Sequence, residues 1–389
     1  MKPQLEIPGT KSQEEAAQPP IPLFNLTLGL EPIRAEAVAV FERLWSTGGF
    51  TFGAELVEFE QAFADFCGAS HCVGVSDGTT ALQLGLLALD VPAGNRVITV
   101  PNTFVATVEA IAAIGARPTL VDVDPIHRCL DPDSLRAHFD NDVAAVVPVH
   151  LYGRLAPMDE IIPLCAARGV PVLEDAAQAH GASLKGRRAG TWGDAAAFSF
   201  YPSKNLGAAG DAGAVVSENP HVADAVRSLR HHGSAPGEPN RHVRVGRTAR
   251  LDNLQAGLLQ LRLNRLEQEN GQRRTAAALY RELLAGLPVV LPEAEPADEY
   301  HVHHLFVVEV DERDRVLEEL RAGGIGASIH YPTPIHLQPA YRYLGYAPGD
   351  FPVAERLAQT SLSLPCFPGI TESQQTRVAH ALARACKEG

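Results

Sequence analysis

The sequence predicts an α/β protein, in which a large domain holds a mostly parallel sheet flanked by helices and a smaller α/β domain follows at the C-terminus. Its 389 residues exceed the usual size of a single domain. Between about Arg96 and Glu218, short β-branched runs alternate with helical stretches, which is typical of a parallel sheet covered on both faces. A long helical segment separates this series from a second, shorter one.

The predicted domain boundaries follow these changes of pattern. Residues 1–20 are polar, contain prolines and lack periodicity, so we expect a flexible arm there. We expect the large domain to span residues 21–265 and the small domain to span residues 266–389.

The elements of the large domain alternate in type along the chain. Strands are predicted where apolar, β-branched residues cluster, and helices where the apolar period lengthens. The predicted strands lie in RVITVPN (96–102), RPTLVDVD (117–124), AAVVPVHLYG (144–153), VPVLEDAA (170–177), AAAFSFY (195–201) and GAVVSE (213–218). Predicted helices between them are TFVATVEAIAAIGA (103–116), DPDSLRAHF (131–139) and PMDEIIPLCAARG (157–169).

A second set of elements follows a predicted connecting helix at about 251–284, in which leucines recur at intervals of three and four. HHLFVVEVD (303–311) predicts a strand, RDRVLEELRAGG (313–324) a helix and IGASIHYP (325–332) a second strand. A terminal helix is predicted from about Thr371.

Composition and charge exclude several classes of protein. The chain has 33 Lys and Arg against 46 Asp and Glu, a net charge of −13, so a nucleic acid would be repelled at long range. No window holds the roughly 18 consecutive apolar residues of a membrane span, and the N-terminus lacks the layout of a signal peptide. The six cysteines lack the paired spacing of a zinc site. We therefore expect a cytoplasmic protein without metal, nucleic-acid or membrane ligands.

Asp175 follows a buried apolar run, at the point where that predicted strand ends. In open α/β sheets, ligands and catalytic groups collect beyond the carboxyl ends of the strands. A carboxylate at this place is either an N-cap for the following turn or the partner of a cationic group on a ligand.

Lys204 lies in a loop after the strand AAAFSFY, beside Ser199 and Ser203 and ahead of glycines 207, 210 and 213. A lysine among small residues is placed for burial, which lowers the pKa of its amine and makes it the nucleophile that a Schiff base requires. The alternative is a structural or exposed loop lysine. The glycine spacing fits neither the GxGxxG dinucleotide motif nor a P-loop.

Two other junctions of strand and helix carry ligand-binding features. HCVGVSDGTT turns through Gly78 into a helix that begins near Thr79, and free N–H groups at such a turn bind phosphate. The alternative is an ordinary turn capped by threonine. Phe104 follows another predicted strand, where its ring could lie on a flat ligand or belong to the core.

A local excess of arginine stands out against the acidic average of the chain. Six arginines fall between Arg227 and Arg250, with Glu238 as the sole acid in that stretch. Because guanidinium groups match phosphate geometry, the stretch predicts a diphosphate or carboxylate site, with Arg244 and Arg247 as candidates. Surface ion pairs are the alternative.

Together these segments match the requirements of pyridoxal phosphate. The phosphate needs an anchor, the ring a stacking partner, the ring nitrogen an acid, and the aldehyde a lysine amine. Gly78, Phe104, Asp175 and Lys204 supply these groups along one predicted sheet.

The chain is similar to the DegT/DnrJ/EryC1/StrS sugar aminotransferases over most of its length. The resemblance rests on the motifs VHLYGRLAPMDEI (149–161), LEDAAQAHGA (173–182), FSFYPSKNLGAAGDAG (198–213), RLDNLQAG (250–257) and IHYPTPIH (329–336). It implies the type I fold of pyridoxal-phosphate-dependent transferases, which is the aspartate-aminotransferase-like fold. It also implies pyridoxamine phosphate as the form of the cofactor between two half-reactions.

The resemblance also implies roles for individual residues. Lys204 would be the catalytic residue that bonds to the cofactor aldehyde, Asp175 would pair with the ring nitrogen, and Gln178 would bind the ring hydroxyl. The remaining contacts would be phosphate binding by Gly78, Thr79 and Ser199 and ring stacking by Phe104. In HYPTPIH (330–336), two prolines predict an extended loop, and we expect His330 and Tyr331 to line the substrate pocket rather than to bind zinc.

One position departs from the family pattern. The family commonly carries G-x-N-x-R-L-D, whose Asn reaches the phosphate in the neighbouring subunit, whereas GRTARLD here places Thr248 at that position. A hydroxyl can donate one hydrogen bond but reaches less far than an amide. The resemblance implies a homodimer with shared active sites.

The reaction implied by the resemblance is amination of a keto-sugar nucleotide, with glutamate as the amino donor. The lysine loop is most similar to that of enzymes that aminate C3 of a dTDP-3-keto-6-deoxyhexose. Amination at C4 of a nucleotide-linked 4-keto sugar is the alternative, followed by a lyase or dehydratase reaction on the same fold. Lys204 stands where related dehydratases carry His, which favours transamination.

Overall fold

The structure is a computed structural model that describes residues 19–387. Of the predicted flexible arm, residues 1–18 lie outside the described residues. The described chain begins against C-terminal residues: Ile21 is buried in the same cluster as Tyr280 and Phe306, and its N–H donates to the carbonyl of Gly324 over 2.9 Å.

Helices occupy much of the described chain. Their bounds are α1 Leu26–Leu30, α2 Arg34–Thr47, α3 Ala54–Cys67, α4 Gly78–Ala88, α5 Val105–Ala113, α6 Pro132–His138, α7 Met158–Ala166, α8 Pro220–Leu229, α9 Asn253–Leu283, α10 Arg313–Ala322, α11 Pro352–Thr360 and α12 Glu372–Ala385. Over residues 19–387, no helix combines the length and the apolar character needed to cross a membrane.

Strands are shorter and alternate with the helices in the first two thirds of the chain. Their bounds are β1 His71–Val75, β2 Arg96–Thr99, β3 Arg117–Leu120, β4 Val143–Val146, β5 Leu173–Asp175, β6 Ser183–Leu184, β7 Arg187–Arg188, β8 Ala195–Ser199, β9 Gly213–Ser217, β10 Ser234–Ala235, β11 Glu238–His242, β12 Glu299–Tyr300, β13 Phe306–Glu309 and β14 Ser361–Leu364.

The central sheet has the strand order β3-β2-β4-β5-β8-β9-β1. Single parallel bridges, Val146 to Val172 and Val149 to Asp175, join the β4 segment to the β5 segment. β9 runs antiparallel to both of its neighbours, and the other pairings are parallel. The predicted mostly parallel sheet is therefore confirmed, and it brings the ends of β5 and β8 to one edge.

Both faces of this sheet are buried, which explains why its strands are apolar throughout. Successive residues point to opposite faces of a strand. In β2, Ile98 belongs to the core on one face and Val97 to the core on the other. In β8, Phe198 belongs to the same core as Ile98, and Ala197 belongs to the same core as Val97. Helices cover both sides, as expected for strands without a polar face.

Helix α9 connects the two bodies as predicted. Leu259 and Leu266, in its first half, pack in the large core, whereas Ala277 and Tyr280, in its second half, pack in the C-terminal core. We propose that the boundary between the large and the small domain falls within this helix, at about residue 266.

The C-terminal unit differs from the prediction in one strand. Residues 325–332 form no continuous strand, and Ser328 makes an isolated bridge to Ser363. β13 instead pairs antiparallel with β14, which the sequence pattern did not predict. The predicted strand does not form because the segment pairs at single positions with two different partners, Ile325 with Ile21 and Ser328 with Ser363, so no continuous ladder develops.

Candidate active site

A cavity of about 440 Å³ opens where β5 and β8 end and where α4 and α5 begin. This is the position at which open α/β sheets bind ligands. The cavity brings together nine of the residues predicted from the sequence, namely Gly78, Thr79, Phe104, Asp175, Gln178, Ser199, Lys204, His330 and Tyr331.

The start of α4 forms one end of the cavity. Asp77 is the N-cap of this helix, and its two carboxylate oxygens accept from the N–H and the hydroxyl of Thr80, both over 2.7 Å. The carboxylate is thereby held at the helix terminus. The N–H groups of Gly78 and Thr79 have no acceptor within the helix and are available to an anion.

Gly78 permits an unusually close approach of helix and strand. A Cβ atom at this position would lie 2.6 Å from the Cβ of Ser199, at the end of β8, and 3.1 Å from its hydroxyl oxygen. Real Cβ atoms do not come this close to another carbon. Glycine therefore keeps open a small recess between the N–H groups of α4 and the Ser199 hydroxyl, here called the phosphate recess.

Asp175 combines the two roles that the sequence left open. One carboxylate oxygen accepts from the N–H of Ala177 over 3.2 Å, as in a turn cap, and the other accepts from the Thr107 hydroxyl over 2.7 Å. The side chain is buried yet lines the cavity, and burial raises the pKa of its carboxyl above the usual value. A buried carboxylate in this position favours a cationic partner on the ligand.

The Lys204 amine lies in the same cavity. Burial lowers its pKa to about 8, although the nearby Asp175 carboxylate acts in the opposite direction. An amine with this pKa is partly neutral near physiological pH, which is the form that attacks a carbonyl carbon. The alternative of an exposed loop lysine does not fit this position.

Gln178 and Tyr331 form another wall of the cavity, and Tyr152 contacts Gln178 from outside the lining. The Gln178 side-chain oxygen accepts from the N–H of Tyr152 over 2.7 Å, and its amide nitrogen donates to the Tyr331 hydroxyl over 3.1 Å. The Tyr152 hydroxyl donates to the carbonyl of His330. Because the Gln178 NH₂ group has two hydrogens, one remains for a ligand in the cavity. The rings of Phe104 and Tyr331 lie 5.6 Å apart beside it.

The structure adds residues that the sequence pattern did not single out. His304 lines the cavity and is buried, and its ring stacks on Phe24 at 5.8 Å. Its Nδ1 atom lies 3.1 Å from the side-chain oxygen of Asn205, so Nδ1 is the protonated nitrogen. Burial holds the pKa of His304 far below its ordinary value, and the ring is neutral. Phe24 and His304 lie far from Lys204 in the sequence, so no local pattern marks them.

Three predicted residues do not line this cavity, namely Arg244, Arg247 and Thr248. All three are exposed. Arg247 donates to the side-chain oxygen of Gln83, and the Thr248 hydroxyl lies 3.0 Å from Nε2 of His232. The chain on its own therefore does not bring them to the cofactor-binding residues.

At three positions of the arginine-rich stretch the structure shows ion pairs within the chain, which was the alternative to an anion-binding site. Arg227, Arg230 and Arg241 each contact a carboxylate of the same chain, on Asp224, Glu60 and Glu238 respectively. These three side chains already have acidic partners, and Arg244 and Arg247 remain as candidates for an anionic ligand.

Comparison with known proteins indicates the aminotransferase family that the sequence motifs resemble. The model of the DegT/DnrJ/EryC1/StrS aminotransferase family matches residues 31–383. A dTDP-3-amino-3,4,6-trideoxy-alpha-D-glucose transaminase of Streptomyces venezuelae is 42% identical over 370 residues, which cover 94% of this chain and 96% of the relative.

Two solved structures are similar over nearly the whole chain. S. venezuelae DesV in complex with a ketimine intermediate superposes with a TM-score of 0.92 at 41% identity, covering 95% of this chain and 99% of that chain. NtdA of Bacillus subtilis with bound cofactor PMP has a TM-score of 0.89 at 30% identity, covering 96% of this chain and 87% of that chain.

Proposed function

Since the chain belongs to the DegT/DnrJ/EryC1/StrS aminotransferase family, we propose that it transfers an amino group from glutamate to C3 of a dTDP-3-keto-6-deoxyhexose. It is an aminotransferase, its cofactor is pyridoxal phosphate, and its fold is that of the aminotransferases of this family. The observation that carries the proposal is the Lys204 amine of lowered pKa, which shares one cavity with the buried Asp175 carboxylate. The substrate follows from the similarity to the S. venezuelae transaminase.

The residues present fit pyridoxal phosphate. The phosphate recess beside Gly78 would be filled by any side chain larger than hydrogen, and its free N–H groups suit a phosphate dianion. The buried Asp175 carboxylate suits a protonated ring nitrogen, and the remaining N–H of Gln178 suits the ring hydroxyl. Phe104 would lie against the ring and Lys204 would bond to the aldehyde carbon.

Bound pyridoxal phosphate supplies an electron sink that makes the α-proton of an amino acid acidic. Within this cavity, Lys204 is the group that can take that proton from the donor and return a proton to C3 of the sugar in the second half-reaction. Asp175 would hold the ring nitrogen in its protonated form, because its negative charge favours a cation in a buried site. The rings of Phe104 and Tyr331 border this region with apolar surface and would limit the access of water to a bound ligand.

We further propose a homodimer in which the partner subunit completes the substrate site. Among the described residues that line the cavity, Lys204 is the only lysine or arginine, whereas Asp77, Asp175 and Asp211 are acidic. A sugar diphosphate and a glutamate are both anions and need further cations. The exposed Arg244 and Arg247 meet that need if they reach the cavity of a second copy.

An exposed apolar surface on the N-terminal helices supports the dimer. Phe41, Trp45 and Phe50 pack on one another and remain 46%, 70% and 44% exposed. Contiguous aromatic groups at this level of exposure are typical of surfaces that bind another protein. A second copy of this chain is the occupant that we propose.

The half-reaction with the amino donor tests the proposed activity. Purified enzyme loaded with pyridoxal phosphate should convert stoichiometric glutamate to 2-oxoglutarate and accumulate pyridoxamine phosphate, both measured by mass spectrometry. The Lys204→Ala variant should bind the cofactor without a covalent bond and lose this conversion. Turnover by that variant at the wild-type rate would contradict the role of Lys204.

The position of amination needs the second half-reaction. The pyridoxamine form should aminate a dTDP-3-keto-6-deoxyhexose and leave a 4-keto isomer unchanged, with the new C–N bond located by NMR of the product. The opposite preference would establish the C4 alternative. A product whose sugar ring carries no new amine, formed without 2-oxoglutarate, would establish a lyase or dehydratase.

A further inference from the structure

Glu295, His301 and His303 form a cluster outside the cavity, on the segment that leads from α9 towards β13. One ligand atom from each lies within 4.8 Å of the other two. The side chains are largely buried, with 10%, 7% and 1% of their surfaces exposed. The proposed reaction uses none of them.

The spacing of the three groups is close to that of a metal site. One Glu295 oxygen lies 2.6 Å from Nε2 of His303 and 3.7 Å from Nδ1 of His301. Zinc binds such atoms at about 2.0–2.2 Å, which separates tetrahedral ligands by roughly 3.3 Å. The first distance must therefore lengthen and the second shorten, each by less than 1 Å, and the third separation, between the two histidine nitrogens, is no more than 4.8 Å.

The tautomer of His301 favours a cation at this position. Its Nε2 atom lies 3.2 Å from the carbonyl oxygen of Tyr152, which can only accept, so Nε2 carries the hydrogen of the neutral ring. The lone pair of Nδ1 then faces the Glu295 carboxylate. A metal-binding histidine usually donates its other N–H to a carbonyl or carboxylate in this manner.

We propose that Glu295, His301 and His303 bind one divalent cation of the zinc class, with the fourth position open to water. Imidazole nitrogen together with a carboxylate oxygen is a ligand set that suits Zn²⁺. Arg281 opposes the cation, because its guanidinium lies 3.3 Å from the same Glu295 oxygen. Arg154 lies nearby but is ion-paired with Glu299 over 2.7 Å.

The bound cation would stabilise a turn that also contacts the catalytic cavity. Tyr152 accepts from His301 through its carbonyl, donates its N–H to Gln178 and donates its hydroxyl to the carbonyl of His330. The cation would fix His301 and so hold this carbonyl in place. Its role is therefore structural, and it does not rest on the proposed reaction.

Metal content of the intact holoenzyme tests the site directly. The full chain, produced without a polyhistidine tag, is treated with EDTA and then dialysed against Zn²⁺. Elemental mass spectrometry should find one Zn²⁺ per chain, and the thermal midpoint should rise with Zn²⁺. Glu295→Gln and His303→Gln should each weaken Zn²⁺ binding about tenfold or more and remove the shift of the midpoint.

A matched control uses a histidine that pairs with a carboxylate without a third ligand. His336 Nε2 lies 2.9 Å from a Glu355 oxygen, so His336→Gln should leave Zn²⁺ binding unchanged. His232→Gln should do the same and thereby exclude the exposed histidines. A wild-type chain without stoichiometric Zn²⁺, or equal losses in test and control variants, would overturn the proposal.

A second variant keeps the test valid if the Gln substitutions prevent folding. Arg281→Met leaves all three ligands in place and removes the opposing charge, so Zn²⁺ should bind several-fold more tightly. Co²⁺ in place of Zn²⁺ should give the visible absorption of a tetrahedral nitrogen and oxygen site in the wild type. Unchanged affinity in Arg281→Met together with octahedral Co²⁺ absorption would also overturn the proposal.

Discussion

Lys204 shows how burial prepares a single side chain for chemistry at a cost in stability. Removal of the amine from water lowers its pKa from 10.5 to about 8, and the Asp175 carboxylate limits the shift. The amine is consequently a better nucleophile at neutral pH than an exposed lysine. The same desolvation lowers the free energy of unfolding at every pH at which the lysine of the unfolded chain is protonated.

The rate of cofactor uptake should report this pKa. Because the neutral amine is the reactive form, covalent attachment of pyridoxal phosphate to the apoenzyme should accelerate about tenfold per pH unit below pH 8 and level off above it. Stopped-flow absorbance measures the rate. In Asp175→Asn the midpoint should move to lower pH, whereas Asp211→Asn, at another acid that lines the cavity, should leave it in place. A midpoint near pH 10.5 would contradict the assignment.

Removal of the buried amine should stabilise the apoprotein. Lys204→Met should raise the free energy of unfolding at pH 7 by on the order of 2 kcal/mol, a figure that allows for water in the cavity. Since the pKa is lowered in the folded state, the penalty is complete below pH 8 and disappears as the pH rises to 10.5. Urea denaturation at several pH values measures it, and Lys185→Met, at an exposed lysine, should show no such gain.

Residues that follow strands were predictable, and residues brought in by distant segments were not. Asp175 and Ser199 end β5 and β8, so their positions at the sheet edge follow from the local pattern alone. His304 and Phe24 enter the cavity through the packing of the small domain and the N-terminal segment. Nothing in their neighbouring sequence encodes that contact.

At the scale of elements, the junction of β8 with α4 determines where an anion can bind. Asp77 caps the helix through Thr80, and Gly78 lets the helix start lie against Ser199. The phosphate recess therefore depends on backbone approach as well as on side-chain chemistry. We therefore propose that this helix terminus accepts a phosphate despite its acidic cap.

Gly78→Ala should damage this junction selectively. The new Cβ would lie 2.6 Å from the Cβ of Ser199, so the helix start must shift away. We expect the dissociation constant for pyridoxal phosphate to rise about tenfold or more, equivalent to one charge-assisted hydrogen bond. Spectrophotometric titration of the apoenzyme measures it.

Gly271→Ala is the matched control for that substitution. A Cβ at Gly271, within α9, meets nothing within 4 Å, so the alanine should stabilise the helix by about 0.5–1 kcal/mol and leave cofactor affinity unchanged. Equal affinity in both alanine variants would contradict the close approach at Gly78.

The elements themselves were predicted unevenly, for a physical reason. The parallel strands are apolar over their whole length because both faces are covered, and α9 carries a regular helical period. The segment after Gly324 has strand-like residues, but its two bridges go to different segments, at Ile21 and at Ser363. A partner that lies some 300 residues away cannot be inferred from the period of the segment itself.

At the scale of the whole molecule, charge distribution points beyond a single chain. The net charge of −13 conceals exposed arginines at 244 and 247, while the cavity lining holds Lys204 as its sole lysine or arginine among the described residues. The sequence could identify both sets of residues but could not bring them together. A contact between two copies has no signature in the spacing along one chain.

Mixing two inactive variants should recover activity if the active sites are shared. The Lys204→Ala variant lacks the amine but keeps Arg247, whereas the Arg247→Ala variant keeps the amine but lacks this arginine. Random reassociation of equal amounts should restore roughly a quarter of wild-type activity, since half of the dimers are mixed and carry one intact site. Absence of recovery, with mixed dimers confirmed by native mass spectrometry, would contradict a shared site.

The pairing of β1 with β9 has a consequence for how the protein is made. His71 lies opposite Ser217 and Val75 opposite Gly213, so the ribosome must synthesise everything between them before β1 gains its partner. That interval lasts on the order of ten seconds when about 5–20 residues are added per second. Until β9 has been made, the backbone of β1 and its apolar side chains Val73 and Val75 are accessible to chaperones or to other nascent chains. In any chain released before Gly213, β1 would remain without this partner strand.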